Sequence, residues 1–255
     1  GNGQLVHAFY YPPTNGLYCA EENELPPVIV MCHGGPTGAT SSGLNLKLQF
    51  WTSRGLAVVD INYRGSTGFG RTYRQALRGA WGIADVEDTQ NAIRYLAQQK
   101  KIDAQRYLIR GGSAGGYTVL SALTFTDTFK AGASLYGIGD LETLATDTHK
   151  FESRYLDSLI GPYPERRDIY LERSPIHHAE GLNCPVIFLQ GLEDKVVPPN
   201  QAEMMVKLLQ EKGIKVAHIT FPDEGHGFRK AKNIIKAMES ELQFYQEVFN
   251  LEANI

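Results

Sequence analysis

Apolar runs of five or six residues recur along the chain, separated by longer stretches whose apolar positions return every three or four residues. Val28 to Cys32 and Leu56 to Ile61 are continuous and rich in β-branched residues, as strands buried on both faces of a parallel sheet should be. Tyr107 to Ile109, Ala131 to Tyr136, Val186 to Gln190 and Val216 to Phe221 complete this set. Leu5 to Tyr11 alternates weakly and stops at Pro12-Pro13, which predicts an edge strand. Between them, Asp85 to Gln99 places Val86, Ile93, Leu96 and Ala97 near one helical face. Ala114 to Leu123, Gln201 to Glu211 and Ile234 to Phe249 are further helices. Strand and helix alternating over most of the chain predict an α/β fold with a largely parallel sheet in a single domain over residues 1–255. The stretch Gly137 to His178 breaks this rhythm. It is polar, carries Pro162, Pro164 and Pro175, and has helical spacing around Phe151 to Leu159. Such an excursion at the carboxyl ends of strands should shape a ligand site.

Composition narrows the classes. With 42% hydrophobic and 21% charged residues, the 255-residue chain is that of a globular protein. A net charge of -3 supplies no footprint for nucleic acid or an anionic membrane. No apolar run is long enough to span a bilayer. Cys19, Cys32 and Cys184 are odd in number and far apart, so they form neither a disulfide framework nor a metal-ligand pattern. The default expectation is a reduced, cytoplasmic protein with no metal. The chain begins Gly-Asn-Gly without a methionine, as it would if an upstream part had been removed.

The candidate chemistry lies at the predicted strand ends. Gly111-Gly112-Ser113-Ala114-Gly115 sits between a strand and a helix in a G-x-S-x-G pattern. A turn sharp enough to expose the serine is strained and crowds its neighbours, where a Cβ would clash. A serine hydroxyl also needs a base and a group to orient that base. After the strand ending at Gln190 comes Asp194, and after the strand ending at Phe221 comes His226, in the order Ser, acid, His. Ser113, Asp194 and His226 are therefore the candidate catalytic triad. Glu193 is the competing acid; Asp223 and Glu224 read as solvated charges on the histidine loop. His7, His33, His149, His177 and His178 lack such a context. An oxyanion hole needs two donors. The Ala114 N–H follows the nucleophile, and His33-Gly34-Gly35-Pro36 follows an early strand, with the Gly35 N–H preferred and Gly34 the alternative.

Taken together, these residues resemble the catalytic domain of the prolyl oligopeptidase family of serine peptidases, especially its acylaminoacyl peptidase and dipeptidyl aminopeptidase branch. The similarity rests on HGGP at 33–36, NYRGSTGFG at 62–70, Trp81-Gly82 with Asp85 and Asp88, GGSAGG at 111–116, DKVVP at 194–198 and EGHGF at 224–228. The resemblance implies an α/β-hydrolase fold, cleavage of short peptides through an acyl-enzyme on Ser113, and no metal or organic cofactor. Aminoacyl and acylaminoacyl compounds are the implied substrates. Members of the family usually carry an amino-terminal β-propeller over the active site. Nothing here reads as propeller blades, so the chain is expected to be an excised catalytic domain or a stand-alone relative, with a propeller as the possible missing partner.

Read from its residues alone, NYRGSTGFG lacks both G-x-G-x-x-G order and a P-loop lysine, so nucleotide binding is discounted. Arg64, Asp85 and Asp88 should pair in or near the core and fix loops beside the site. Tyr117 should line the substrate pocket. Glu152 either meets a substrate amine or pairs with Arg154. A carboxylesterase on the same fold is the competing enzyme, and a catalytically silent binding module is the competing class.

Overall fold

The structure is a computed structural model, and it describes residues 3–147 and 154–250. Among these, seven strands form one sheet: β1 (His7–Tyr11), β2 (Val28–Cys32), β3 (Ala57–Asn62), β4 (Tyr107–Gly112), β5 (Ala131–Leu135), β6 (Val186–Gly191) and β7 (Val216–Phe221). Their order across the sheet is β1-β3-β2-β4-β5-β6-β7. Only the edge strand β1 runs antiparallel, against β3. The helices are α1 (Leu46–Thr52), α2 (Gly70–Gln75), α3 (Ala84–Gln98), α4 (Ala114–Phe125), α5 (Leu141–Asp147), α6 (Tyr155–Leu159), α7 (Arg167–Arg173), α8 (Asn200–Glu211) and α9 (Ala231–Phe249), with a 3₁₀ segment at Pro175–Gly181.

The continuous apolar runs are explained by two cores, one on each face of the sheet. In β2, Val28, Val30 and Cys32 point to the α3, α4 and α8 side, while Ile29 and Met31 point to the α1 and α9 side. Every residue of β2 and β3 is buried. Each such Val or Ile contributes roughly 1.5–3 kcal/mol of transfer free energy. Helix α4 is buried from Ala114 to Thr124. Its small residues allow this: a Cβ on Gly116 would lie 2.6 Å from the Gly137 Cα.

β4 runs three residues beyond the predicted Ile109. Arg-Gly-Gly has low strand propensity, but both neighbours pair with it, and Arg110 projects into the α9 side. There its guanidinium makes a two-pronged pair with the buried Glu241, at 2.7 and 3.1 Å, and Tyr245 donates to the same carboxylate. Helices α1, α2, α5 and α7 escape sequence periodicity because each has only six or seven residues. The excursion after β5 contains α5, α6, α7 and the 3₁₀ segment; of its predicted helix, residues 151–153 lie outside the described residues.

The polar residues expected to pair are divided between two tasks. Arg64 binds Asp88 through its Nε at 2.9 Å, and its backbone N–H donates to Asp88 at 2.7 Å. Asp85 instead accepts from the Gly82 N–H at 2.7 Å and from the Thr118 hydroxyl at 2.6 Å, tying α3 to α4. It is fully buried, and burial pushes its carboxyl up to about 6, against the hydrogen bonds that pull it down. A folded-state value above the unfolded one means that the folded chain binds more protons between about pH 4 and 6. Stability contributed here falls as pH rises through that window, by roughly 3 kcal/mol in the limit. In Asp85→Asn the slope of unfolding free energy against pH should be more positive than in the parent between pH 4 and 6. Urea melts across this range check it, and parallel slopes would show that Asp85 is ionised in the fold throughout.

Candidate active site

Four loops leave the carboxyl ends of β2, β4, β6 and β7 and converge, because those strands lie parallel in one sheet. Ser113 follows β4 directly and adopts φ 57°, ψ -123°, a strained conformation for a residue with a side chain. The flanking glycines make this turn sterically feasible. A Cβ on Gly111 would lie 2.4 Å from the Gly115 carbonyl oxygen, and one on Gly115 would lie 2.2 Å from the Cys32 carbonyl oxygen.

His226 Nε2 lies 2.9 Å from Ser113 Oγ, and its Nδ1 lies 2.8 Å from Asp194 Oδ2. The carboxylate accepts only, so Nδ1 carries the proton and Nε2 is left to accept from the serine. Asp194 is buried, and its other oxygen receives the Val196 and Val197 N–H groups at 2.9 Å each. Three donors thus hold one carboxylate in place. The competing acid Glu193 is exposed and is joined to the histidine loop by its backbone, which donates to the Glu224 carbonyl at 2.9 Å. Tyr136, at φ 40°, presents its ring edge-on to His226 at 4.9 Å and to Phe228 at 5.4 Å, walling in the imidazole.

Gly34 sits against Ser113: a Cβ there would lie 3.5 Å from Ser113 Cβ. Gly35 and Ala114 line one pocket with Ser113, and neither N–H has an acceptor among the described residues. The rest of the wall is apolar: Pro36, Trp81, Ile138, Leu144, Tyr155, Leu156, Val196 and Val197.

Two expectations need correction. Tyr117 does not line this pocket. Lying on α4, it is fully buried, with its ring 4.4 Å from Trp81 and its hydroxyl donating to the Arg173 carbonyl, so Trp81 supplies the wall instead. Glu224 is not solvated but 3% exposed; its carboxylate receives the Arg229 and Lys230 N–H groups and Asn233, which braces the histidine loop. Asp223 is held by Lys230, Lys232 and Asn233. Glu152 and His149 lie outside the described residues. The excursion from Gly137 to His178, expected to shape a ligand site, supplies Ile138, Leu144, Tyr155 and Leu156 to this wall. Pro36, Trp81, Val196 and Val197 were not foreseen as lining, because they are apolar and scattered over separate loops.

Residues 42–252 match the model of the prolyl oligopeptidase family. The chain belongs to that family. Over 99% of its length it superimposes on a puromycin-hydrolyzing peptidase of Mycobacterium tuberculosis with a TM-score of 0.97 and 50% identity, covering 38% of that chain. It likewise resembles an acylaminoacyl peptidase of Pyrococcus horikoshii (TM-score 0.86, 28% identity, 94% of this chain and 39% of that one). Among curated relatives it is 34% identical over 213 residues to dipeptidyl aminopeptidase BIII of Pseudoxanthomonas mexicana, covering 81% of this chain and 31% of that protein. The chain spans about a third of the length of the curated relatives it matches. Its fold is the α/β-hydrolase fold of this prolyl oligopeptidase family. No described helix is long and apolar enough to cross a membrane.

The elbow carries a prediction of its own. Because a Cβ on Gly115 meets fixed backbone rather than a flexible side chain, Gly115→Ala should destabilise the protein by roughly 3 kcal/mol, at the upper end of the usual cost of overpacking. Equilibrium urea unfolding measures this. A loss under 1 kcal/mol would show that β2 and α4 can separate at little cost.

Proposed function

We propose that the chain is a serine peptidase acting on short peptides, of aminopeptidase or acylaminoacyl peptidase type, with Ser113, His226 and Asp194 as its triad. The observation that carries this reading is His226, bridging Ser113 Oγ at 2.9 Å and Asp194 at 2.8 Å. Ser113 Oγ attacks the substrate carbonyl while its proton passes to His226 Nε2; Asp194 orients the ring and stabilises the imidazolium. The Gly35 and Ala114 N–H groups, both without an acceptor among the described residues, receive the oxyanion, each worth roughly 3–4 kcal/mol in the transition state. His226 then protonates the leaving amine, and water repeats the sequence to release the acid. Helix α4 points its amino terminus at the same region, which favours the negative charge.

The apolar wall beside Ser113 favours an acyl group with an apolar side chain, held by Trp81, Tyr155 and Val197 among others. Amide substrates are preferred in this reading over esters because the named relatives are peptidases acting on peptides or on puromycin. We further infer that the chain works as one catalytic unit, completed in its relatives by additional length, and that it is cytoplasmic, as its three unpaired cysteines favour.

A fluorophosphonate should label the protein stoichiometrically, and Ser113→Ala should abolish labelling and lower kcat by about 10⁶. Aminoacyl and acylaminoacyl anilides with Phe, Leu or Ala at the acyl position should be turned over in preference to those with Asp or Lys. Labelling with ester but no anilide turnover would make the enzyme an esterase, and a folded protein that resists labelling would remove the enzymatic reading.

A further inference from the structure

One residue in contact with the triad has no task in the chemistry above. Tyr136 follows β5 at φ 40°, a backbone conformation that a bulky side chain adopts only where its surroundings impose it. Two strands impose it here. The Tyr136 N–H donates to the Leu189 carbonyl of β6 at 2.8 Å, and the Leu135 carbonyl just before it accepts from the Ser113 N–H at 3.0 Å. The ring then lies against Gly112, where a Cβ would come within 2.8 Å of the ring Cε2 and 2.9 Å of the hydroxyl oxygen. The sharp turn at Ser113 accounts for Gly111 and Gly115 but not for Gly112; the Tyr136 ring fills the space that a side chain there would need. Phe228 meets the ring at 5.4 Å and 89°, and is itself packed on Phe221 of β7 at 4.5 Å. Held in this way, the Tyr136 ring stands 4.9 Å from the His226 imidazole, with 63° between the two planes.

His226 needs such a neighbour. It stands between Gly225 and Gly227, the latter at φ 91°, so the backbone beside it restricts it little. Its Nδ1–H is bound to the fixed carboxylate of Asp194, and one bond leaves the ring free to turn about the line joining those two atoms. In the proposed reaction Nε2 parts from Ser113 Oγ and passes its proton to the leaving amine, so at that moment Asp194 alone would orient the imidazolium. The Tyr136 hydroxyl has no hydrogen-bond partner among the described residues. Burial raises this phenol above its ordinary value, with Arg110 lowering it and Asp194 raising it, so it is uncharged at neutral pH. What the side chain offers His226 is a flat wall, without charge or hydrogen bond.

We propose that Tyr136 is a positioning residue for His226: its clamped ring blocks rotation of the imidazole about the Asp194 contact and so keeps Nε2 on the path between Ser113 Oγ and the leaving amine. The inference rests on the proposed role of His226 as base and acid. It also gives Gly112 and Phe228 a shared task, the first making room for the ring and the second backing it.

The test removes the ring without straining the backbone. Tyr136→Gly suits the positive φ, and Tyr136→Phe keeps the ring without its hydroxyl. Each is compared with the parent in the full chain on an anilide and a nitrophenyl ester of the same acyl group, with active sites counted by fluorophosphonate. Acylation by the ester, read as the nitrophenolate burst, uses His226 only as base, because nitrophenolate departs without a proton. The anilide uses it as base and as acid. Tyr136→Gly should lose about 10²-fold in anilide kcat with KM within about threefold, and only about tenfold in the ester burst rate. Tyr136→Phe should stay within about threefold of the parent on both substrates. If Tyr136→Gly does not fold, Phe228→Leu loosens the same clamp and should cost about tenfold on the anilide and about threefold on the ester. An unchanged anilide kcat on removal of the ring, or equal losses on the two substrates, would overturn the proposal, the latter by making Tyr136 a merely structural residue. Tyr136→Phe as impaired as Tyr136→Gly would overturn it by assigning the effect to the hydroxyl. A parent protein inactive toward anilides and unlabelled by fluorophosphonate would instead overturn the peptidase assignment itself.

Discussion

The backbone turn at Ser113 is the constraint from which the arrangement of the site follows. A side-chain-bearing residue at φ 57°, ψ -123° is held there only because its surroundings leave no alternative. Those surroundings are backbone: Gly115 packs onto the Cys32 and His33 carbonyls, and Gly111 onto Gly115. Ser113 and the loop from His33 to Pro36 are thus two sides of one contact between the end of β2 and the start of α4. Glycine is required there for proximity, and its flexibility is not in use. A contact of this kind also explains why α4 begins with the small residues Ala114, Gly115 and Gly116, since a bulkier first turn would stand off from β2.

The other half of the site is joined by the same means. Gly191 approaches the Glu224 and Gly225 carbonyls so closely that a Cβ would lie 2.5 Å from each, the Leu192 N–H donates to the Phe221 carbonyl at the end of β7, and the Glu193 N–H donates to the Glu224 carbonyl on the histidine loop. The acid and histidine loops therefore move as one body. Asp194 is fixed by two N–H groups and Glu224 by two more, so the carboxylates on these two loops retain little side-chain freedom. Preorganisation of this sort is what acyl transfer demands, because the cost of ordering is met in folding rather than in the reaction.

How much of this was legible in the sequence depended on whether a signal was local. β2, β3 and β6 were readable because burial on two faces forces continuous apolar runs, whereas β7, at Val216 to Phe221 as expected, is half-buried along most of its length and interrupts its apolar residues with His218 and Thr220. Strand ends gave the positions of Ser113, Asp194 and His226, since each follows its strand within a few residues. What failed was set by long-range packing. Nothing near Tyr117 shows that Trp81 stands between it and the pocket, because the two are brought together only by α3 packing on α4. Glu224 read as a solvated charge because its partners are backbone N–H groups and Asn233, which carry no charge signature. The short helices were invisible for want of enough turns to show a period.

NYRGSTGFG illustrates the same limit from the other side. Taken alone, its glycines and polar residues specify no chemistry, and its spacing fits no phosphate loop. In three dimensions Arg64 anchors it to α3 through Asp88, and Asn62, Tyr63, Ser66 and Thr67 each reach the loop from His33 to Thr40. A loop containing three glycines within residues 33–38 cannot hold a peptide plane by its own torsional preferences. It needs hydrogen bonds from outside, and β3, paired beside β2, delivers them at the same sheet edge. Such a segment is discriminating in sequence for a physical reason. Asn62, Tyr63 and Thr67 answer particular backbone groups in a loop that would otherwise be free to turn away from Ser113.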